Sequence, residues 1–190
     1  MLRLHSRVLV VVSLMVCRLA CAAPGDALSV LAQPGHVLLL RHANAPGIGD
    51  PPGMVLGECA TQRNLDDRGR AQAVELGAHL RAAGIADVQV YTSQWCRCRE
   101  TAKLLAIGPV EELPALNSFF EQPETKAARV KALREFLDEL PRDDGPVVFV
   151  THQVTITALT GSFPSSGEGL VLELQPGGGF KRVAEFEGPD

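Results

Sequence analysis

The sequence lacks any excess of positive charge: 18 Lys and Arg stand against 22 Asp and Glu, a formal net charge of −4. That balance argues against a general affinity for nucleic acid, which rests on basic surfaces. Long apolar runs are missing too. Val8 to Val16, broken by Ser13, is too short for a membrane span of about 20 residues. Cysteines are few, and the pair Cys96-Arg97-Cys98 has a one-residue gap and no Cys/His pair at finger spacing after it. Structural zinc sites use wider spacings, so a zinc module is disfavoured. No repeat and no Pro/Gly/Ser-rich linker of domain scale interrupts the 190 residues, which are 46% hydrophobic and 21% charged. That is the composition of one globular domain with a sizeable core.

The N-terminus carries Arg3 and Arg7, then the apolar run, then the small-residue stretch Ala20-Cys21-Ala22-Ala23. This is the layout of a secretory signal peptide. Residues 1–22 are expected to be removed, leaving residues 23–190 as an exported domain, periplasmic or secreted, with no membrane span. Lipidation at Cys21, which follows the small residue Ala20, is the alternative, although Arg18 stands where an aliphatic residue is expected. Cleavage after Ala22 would take Arg3, Arg7 and Arg18 with it, leaving 15 basic against 22 acidic residues and a net charge of −7. Three cysteines would remain, and in an oxidising compartment Cys59 is expected to pair with either Cys96 or Cys98.

The chain is organised around Gly35-His36-Val37-Leu38-Leu39-Leu40-Arg41-His42-Ala43. An apolar run of this length reads as a strand buried on both faces of a parallel sheet. Ligands of such sheets bind just beyond the carboxyl ends of the strands, where Arg41 and His42 stand. A Gly/Pro-rich loop, Asn44 to Gly57, follows directly and is expected to form a rim of the pocket. A helix from Asp66 or Asp67 to about Ala83 is signalled by the cap and by Ala73, Leu76 and Leu80 on one face. Further on, the patterns predict a strand over Val88–Tyr91, a helix over Trp95–Ala106 and a short strand over Val110–Leu113. They then predict a helix over Glu124–Leu140, a strand over Val147–Val150, a helix over Val154–Thr160, and a hairpin of Leu170–Leu174 with Phe180–Phe186. Strands alternating with helices imply an α/β fold, a three-layer sandwich whose central, mostly parallel sheet is flanked by helices.

Three strand ends share one chemistry. The first carries Arg41-His42. The second leads through Ser93 into a helix with Arg97 in its first turn, and the third ends in His152 ahead of another helix. Taken singly, Arg97 reads as a solvated helix residue and His152 as a core histidine. On one edge of a parallel sheet they would converge. Guanidiniums match phosphate oxygens, and a neutral histidine can attack phosphorus.

At this point the sequence resembles the histidine phosphatase superfamily, also called phosphoglycerate mutase-like. Arg41-His42 after Val37–Leu40 is similar to its R-H signature. Leu65-Asp66-Asp67-Arg68-Gly69-Arg70-Ala71-Gln72-Ala73 is similar to its L-T-x-x-G-x-x-Q-A segment, and Ser93 to Ala102 to its S-x-x-x-R-x-x-x-T-A segment. Val147 to His152 is similar to the strand bearing its second histidine. The resemblance implies that His42 is the nucleophile that becomes phosphohistidine, that Arg41, Arg97 and His152 bind the phosphoryl group, and that no metal or other cofactor takes part.

Ala43 and Gln153 replace glycines common in the family. The family's catalytic glutamate position falls on Ser118, so the general acid is unassigned. Asp50 and Glu121 are candidates by proximity in sequence, each read first as a solvated surface carboxylate. The function expected is metal-independent hydrolysis of a phosphorylated small molecule or phosphoprotein. A phosphohistidine-protein phosphatase and a non-catalytic phosphoryl-binding module are the alternatives.

Overall fold

The computed structural model describes residues 26–188; the expected signal peptide, residues 1–22, lies outside them. Six strands form one sheet: β1 (His36–Arg41), β2 (Val90–Thr92), β3 (Val110–Glu112), β4 (Val147–Thr151), β5 (Gly169–Leu174) and β6 (Phe180–Phe186). Their order is β3-β2-β4-β1-β5-β6. The pairs β1–β4, β2–β4 and β2–β3 are parallel, while β5 runs antiparallel to both β1 and β6. The sheet is thus mostly parallel, with the expected C-terminal hairpin adding its one reversed strand. β2 begins two residues later than the pattern suggests, because the Val88 N–H bonds to Ile107 O outside the ladder.

Helices α1 (Ala27–Leu31), α2 (Asp67–Ala82) and α3 (Cys96–Leu105) cover one face, and α4 (Lys126–Glu139) and α5 (Gln153–Thr160) the other. The pleat divides the core accordingly. Leu38 and Leu40 of β1 pack with Leu76 and Leu80 of α2 and Leu105 of α3, while Val37 and Leu39 pack with Leu133 and Leu137 of α4 and Ile156 of α5. A strand buried on both faces has no polar side to show, which is why β1 reads as an unbroken apolar run.

Two local features set the helices against the site. Asp66 caps α2, its carboxylate accepting the Gly69 N–H at 2.7 Å. At Gly69, a Cβ would stand 2.0 Å from Asn44 O, so glycine lets α2 lie directly under the chain leaving β1. The second feature is covalent. Cys59, in a 3-10 turn (Cys59–Thr61), is bonded to Cys96 at the start of α3, which resolves the two pairings left open by the sequence. Cys98, one turn face away, is buried with a free thiol that burial pushes up to about 12.

The bridge closes a loop of 37 residues containing the whole of α2. Loop-closure entropy for that length is worth about 4 kcal/mol. Cys59→Ser/Cys96→Ser is therefore expected to lower unfolding free energy in urea by about 2–5 kcal/mol. Equal denaturation midpoints for the variant and the oxidised protein would contradict this.

Candidate active site

The parallel register brings the three strand ends level. Arg41 is opposite Thr151, and Thr92 is opposite Val150. Each ladder runs one step further, with the His42 N–H on Thr151 O and the Ser93 N–H on Val150 O, both at 3.0 Å. Beyond these ends Trp95 caps α3, placing Arg97 in its first turn, and His152 caps α5. Together they floor a cleft of ≈ 550 Å³ whose walls include Asp50 and Arg63. Arg41, His42, Arg97 and His152 are thus brought together as the sequence implied.

Arg97 is the hub. Its Nη1 and Nη2 grip the Asp50 carboxylate at 2.8 and 3.2 Å, end-on, and Nη1 also donates to Arg63 O at 3.3 Å. Its side edge faces the histidines: Nε donates to His42 Nε2 at 3.2 Å and Nη2 to His152 Nδ1 at 3.4 Å. The Arg97 and Asp50 side chains are only 3% and 5% exposed, so this is a buried, bidentate pair.

Because arginine can only donate, these contacts fix the imidazole tautomers. On His42, Nδ1 lies 2.8 Å from Ala43 O and carries the proton, leaving the Nε2 lone pair toward the cleft. On His152, Nδ1 accepts from Arg97, so Nε2 bears the proton and donates to Ser93 Oγ at 2.8 Å. Ser93 donates in turn to Asn117 Oδ1 at 3.2 Å, which also accepts the Gln94 N–H at 2.9 Å. Burial, reinforced by the neighbouring Arg97 charge, lowers His42 to about 3. The same causes hold His152 well below the ordinary histidine value. Both rings are neutral at pH 7.

The motif residues around this hub support it. Thr101 Oγ1 accepts the Ala43 N–H at 3.1 Å and donates back to Arg97 O at 2.7 Å, tying the chain after His42 to α3. Gln72 accepts the Asn44 N–H and donates to Ser166 O, both at 2.9 Å, linking the loop after β1 to the one before β5. Arg41 donates through Nη1 to Pro164 O at 3.0 Å, and its Nε is buried without a partner among the described residues.

The candidate acids need correction. Asp50 is not a surface carboxylate: besides Arg97 it accepts the Trp95 indole N–H and the Arg63 backbone N–H, both at 3.0 Å. Burial alone would raise its pKa, but the Arg97 guanidinium and these donors outweigh that and hold it below the ordinary value. An ionised, fully engaged carboxylate is an anchor for Arg97 and a poor proton donor. Glu121 is exposed on the cleft wall and accepts the Asp50 N–H at 2.7 Å. Ser118 does line the cleft, with a hydroxyl that accepts the Phe120 N–H at 3.2 Å. Arg63 escaped the sequence reading. It stands in the cleft with Nε on Gly49 O at 2.7 Å and Nη1 on Ala45 O, and no local pattern marks it out.

Neutral buried histidines make stability depend on pH with a definite sign. The unfolded chain protonates these rings near pH 6.5, while the folded one resists down to far lower values, about 3 for His42. The stabilisation is therefore complete above pH 6.5 and is lost as pH falls towards 3, at about 1.4 kcal/mol per pH unit per ring. His42→Asn is expected to make the decline in unfolding free energy between pH 6 and pH 4 shallower by about that amount per pH unit. Identical slopes in urea titrations of the two proteins would show that His42 is not held neutral.

With this geometry in place, comparison with known proteins is direct. A sequence profile of the histidine phosphatase superfamily (branch 1) matches residues 37–120, a span that includes Arg41, His42 and Arg97. No curated protein matches the sequence. Among solved structures, the product of open reading frame Rv3214 from Mycobacterium tuberculosis is 19% identical with a TM-score of 0.59, over 80% of this chain and 97% of that one. The mycobacterial glucosyl-3-phosphoglycerate phosphatase Rv2419c, in complex with VO3, is 16% identical with a TM-score of 0.58, over 78% and 97%. The protein histidine phosphatase SixA, in complex with tungstate, is 16% identical with a TM-score of 0.55, over 80% and 96%. At such identities the likeness is one of fold. The profile of the histidine phosphatase superfamily reaches from β1 past α3, and the chain shares the fold of these structures over nearly their full length.

Proposed function

We propose that the protein is a metal-independent phosphatase that acts through a phosphohistidine on His42. The observation that carries this reading is the tautomer of His42: Nδ1–H is tied to Ala43 O, so the Nε2 lone pair is left facing the Arg97 side edge. A module that only bound phosphate would need no unprotonated nitrogen there.

The reaction is a double displacement. The Nε2 lone pair forms an N–P bond as the bond from phosphorus to the leaving oxygen breaks, that oxygen keeping the electron pair. Water then attacks the phosphohistidine, releasing inorganic phosphate and restoring His42. As phosphorus approaches, the Arg97 Nε–H turns from the ring nitrogen to a phosphoryl oxygen, and the buried Arg41 Nε–H has an acceptor to satisfy. A dianion beside His152 reverses the bias that keeps that ring neutral, so the ring can take up a proton and donate from Nδ1. Asp50 is committed to Arg97, leaving Glu121 on the cleft wall as the side chain placed to relay a proton to the leaving oxygen.

Export belongs to the same proposal. The N-terminal layout supports it, and the Cys59–Cys96 bridge is of the kind that persists in oxidising compartments. The native protein recovered from outside the cytoplasm should have the intact mass of a chain starting near Ala23. A soluble cytoplasmic form keeping Met1 to Ala22 would contradict export.

For catalysis, His42→Ala is expected to abolish hydrolysis of an aryl phosphate, with wild-type activity unchanged by chelator. Arg97→Ala should lower kcat by roughly two to three orders of magnitude, the usual loss for one donor in a preorganised anion site. Near wild-type turnover by His42→Ala would overturn the assignment.

A further inference from the structure

The mouth of the cleft is apolar in a way its floor is not. Ile48 is 89% exposed, Phe163 75%, Phe120 54% and Leu56 43%, and all four line the cleft. They come from three separate segments: the loop after β1, the stretch preceding α4, and the loop after α5. Isolated exposed apolar side chains are ordinary on a protein surface, but several gathered at one concave site mark a binding groove. Leaving four large side chains in water forgoes burial that a bound apolar group would restore.

The rim is also held in place. The loop bearing Ile48 is pinned on either side of it, with Arg63 donating to Ala45 O and Gly49 O and Glu121 accepting the Asp50 N–H. Arg129 donates from Nε to Thr125 Oγ1 at 3.2 Å and from Nη1 to Pro114 O at 3.1 Å, which turns part of its guanidinium away from the mouth. The rim continues straight into the cationic floor. An occupant must therefore be anionic at one end and apolar immediately beyond it, which a second copy of the chain would not supply.

We propose that the substrates are phosphomonoesters of hydrophobic alcohols, the phosphoryl group on Arg41 and Arg97 and the apolar leaving group between Ile48, Leu56, Phe120 and Phe163. This rests on the phosphatase reading and adds the class of leaving group to it.

Straight-chain alkyl phosphates test it, because their leaving groups share one intrinsic reactivity and differ only in apolar length. Propyl, hexyl and octyl phosphate would be compared below their micelle concentrations, with glycerol 3-phosphate as the polar reference. The expected result is a kcat/KM that climbs with length by up to about fourfold per methylene, octyl exceeding propyl at least tenfold. Ile48→Ser/Phe163→Ser, checked for folding by its melting curve, should flatten this dependence. Measurable hydrolysis that is indifferent to length, or a preference for glycerol 3-phosphate, would overturn the substrate class while leaving the phosphatase intact. So would a folded variant that keeps the full dependence, including one that instead loses a dimer seen in sedimentation. Absence of hydrolysis and of phosphoenzyme with every ester would overturn both readings.

Discussion

The interaction on which the site depends is the buried pairing of Arg97 with Asp50. A guanidinium 3% exposed is a buried charge that needs compensation, and Asp50 supplies it end-on while leaving the side edge to the histidines. Removing one member of such a pair leaves an uncompensated buried charge, a cost of about 3–5 kcal/mol. The pair also determines loop shape. Asp50 brings the Gly/Pro-rich segment after β1 against α3, and the Cys59–Cys96 bridge fastens the end of that segment one residue before Arg97. Loop, helix and strand end are thus fixed to a single cation.

That arrangement accounts for two neutral imidazoles in a strongly cationic pocket. Arg97 donates to both rings, and the desolvated surroundings penalise a further positive charge on either. The electrostatic deficit is what an anion would fill. Four guanidiniums, Arg41, Arg63, Arg97 and Arg129, line the cleft, while the nearby Asp50 carboxylate is already engaged with one of them. A phosphoryl group arriving here meets donors that are already oriented, so little reorganisation is left for the reaction itself.

The parts of this that were legible in the sequence are those set by periodicity and by strand ends. β1 had to be buried on both faces, and a parallel register then forced Arg41, His42 and His152 to one edge. Gly69, Gln72 and Thr101, quoted only as pieces of a motif, turn out to bind the chain that leaves β1 to α2, α3 and the loop before β5. What was illegible lay in irregular chain. Asp50 looked like any loop carboxylate because its position depends on the path of a segment with no period, and Arg63 had the same disguise. The choice between Cys96 and Cys98 depended on which side of the first turn of α3 meets the 3-10 turn. It faces Cys96 outward to Cys59 and Cys98 inward against Thr151 and His152. The start of α4 was displaced because a 3-10 turn at Pro123–Thr125 intervenes.

The central claim is that Arg97 and Ala43 together keep Nε2 of His42 unprotonated, the nitrogen that attacks once the Arg97 Nε–H turns to the phosphoryl group. It is tested most directly by trapping the enzyme with a radiolabelled aryl phosphate, quenching in alkali, where phosphohistidine survives, and locating the label by peptide mapping and 31P NMR. The account predicts phosphate on Nε2 of His42, in amounts approaching one per chain. Label on His42 Nδ1, on His152 or on any other residue would contradict it.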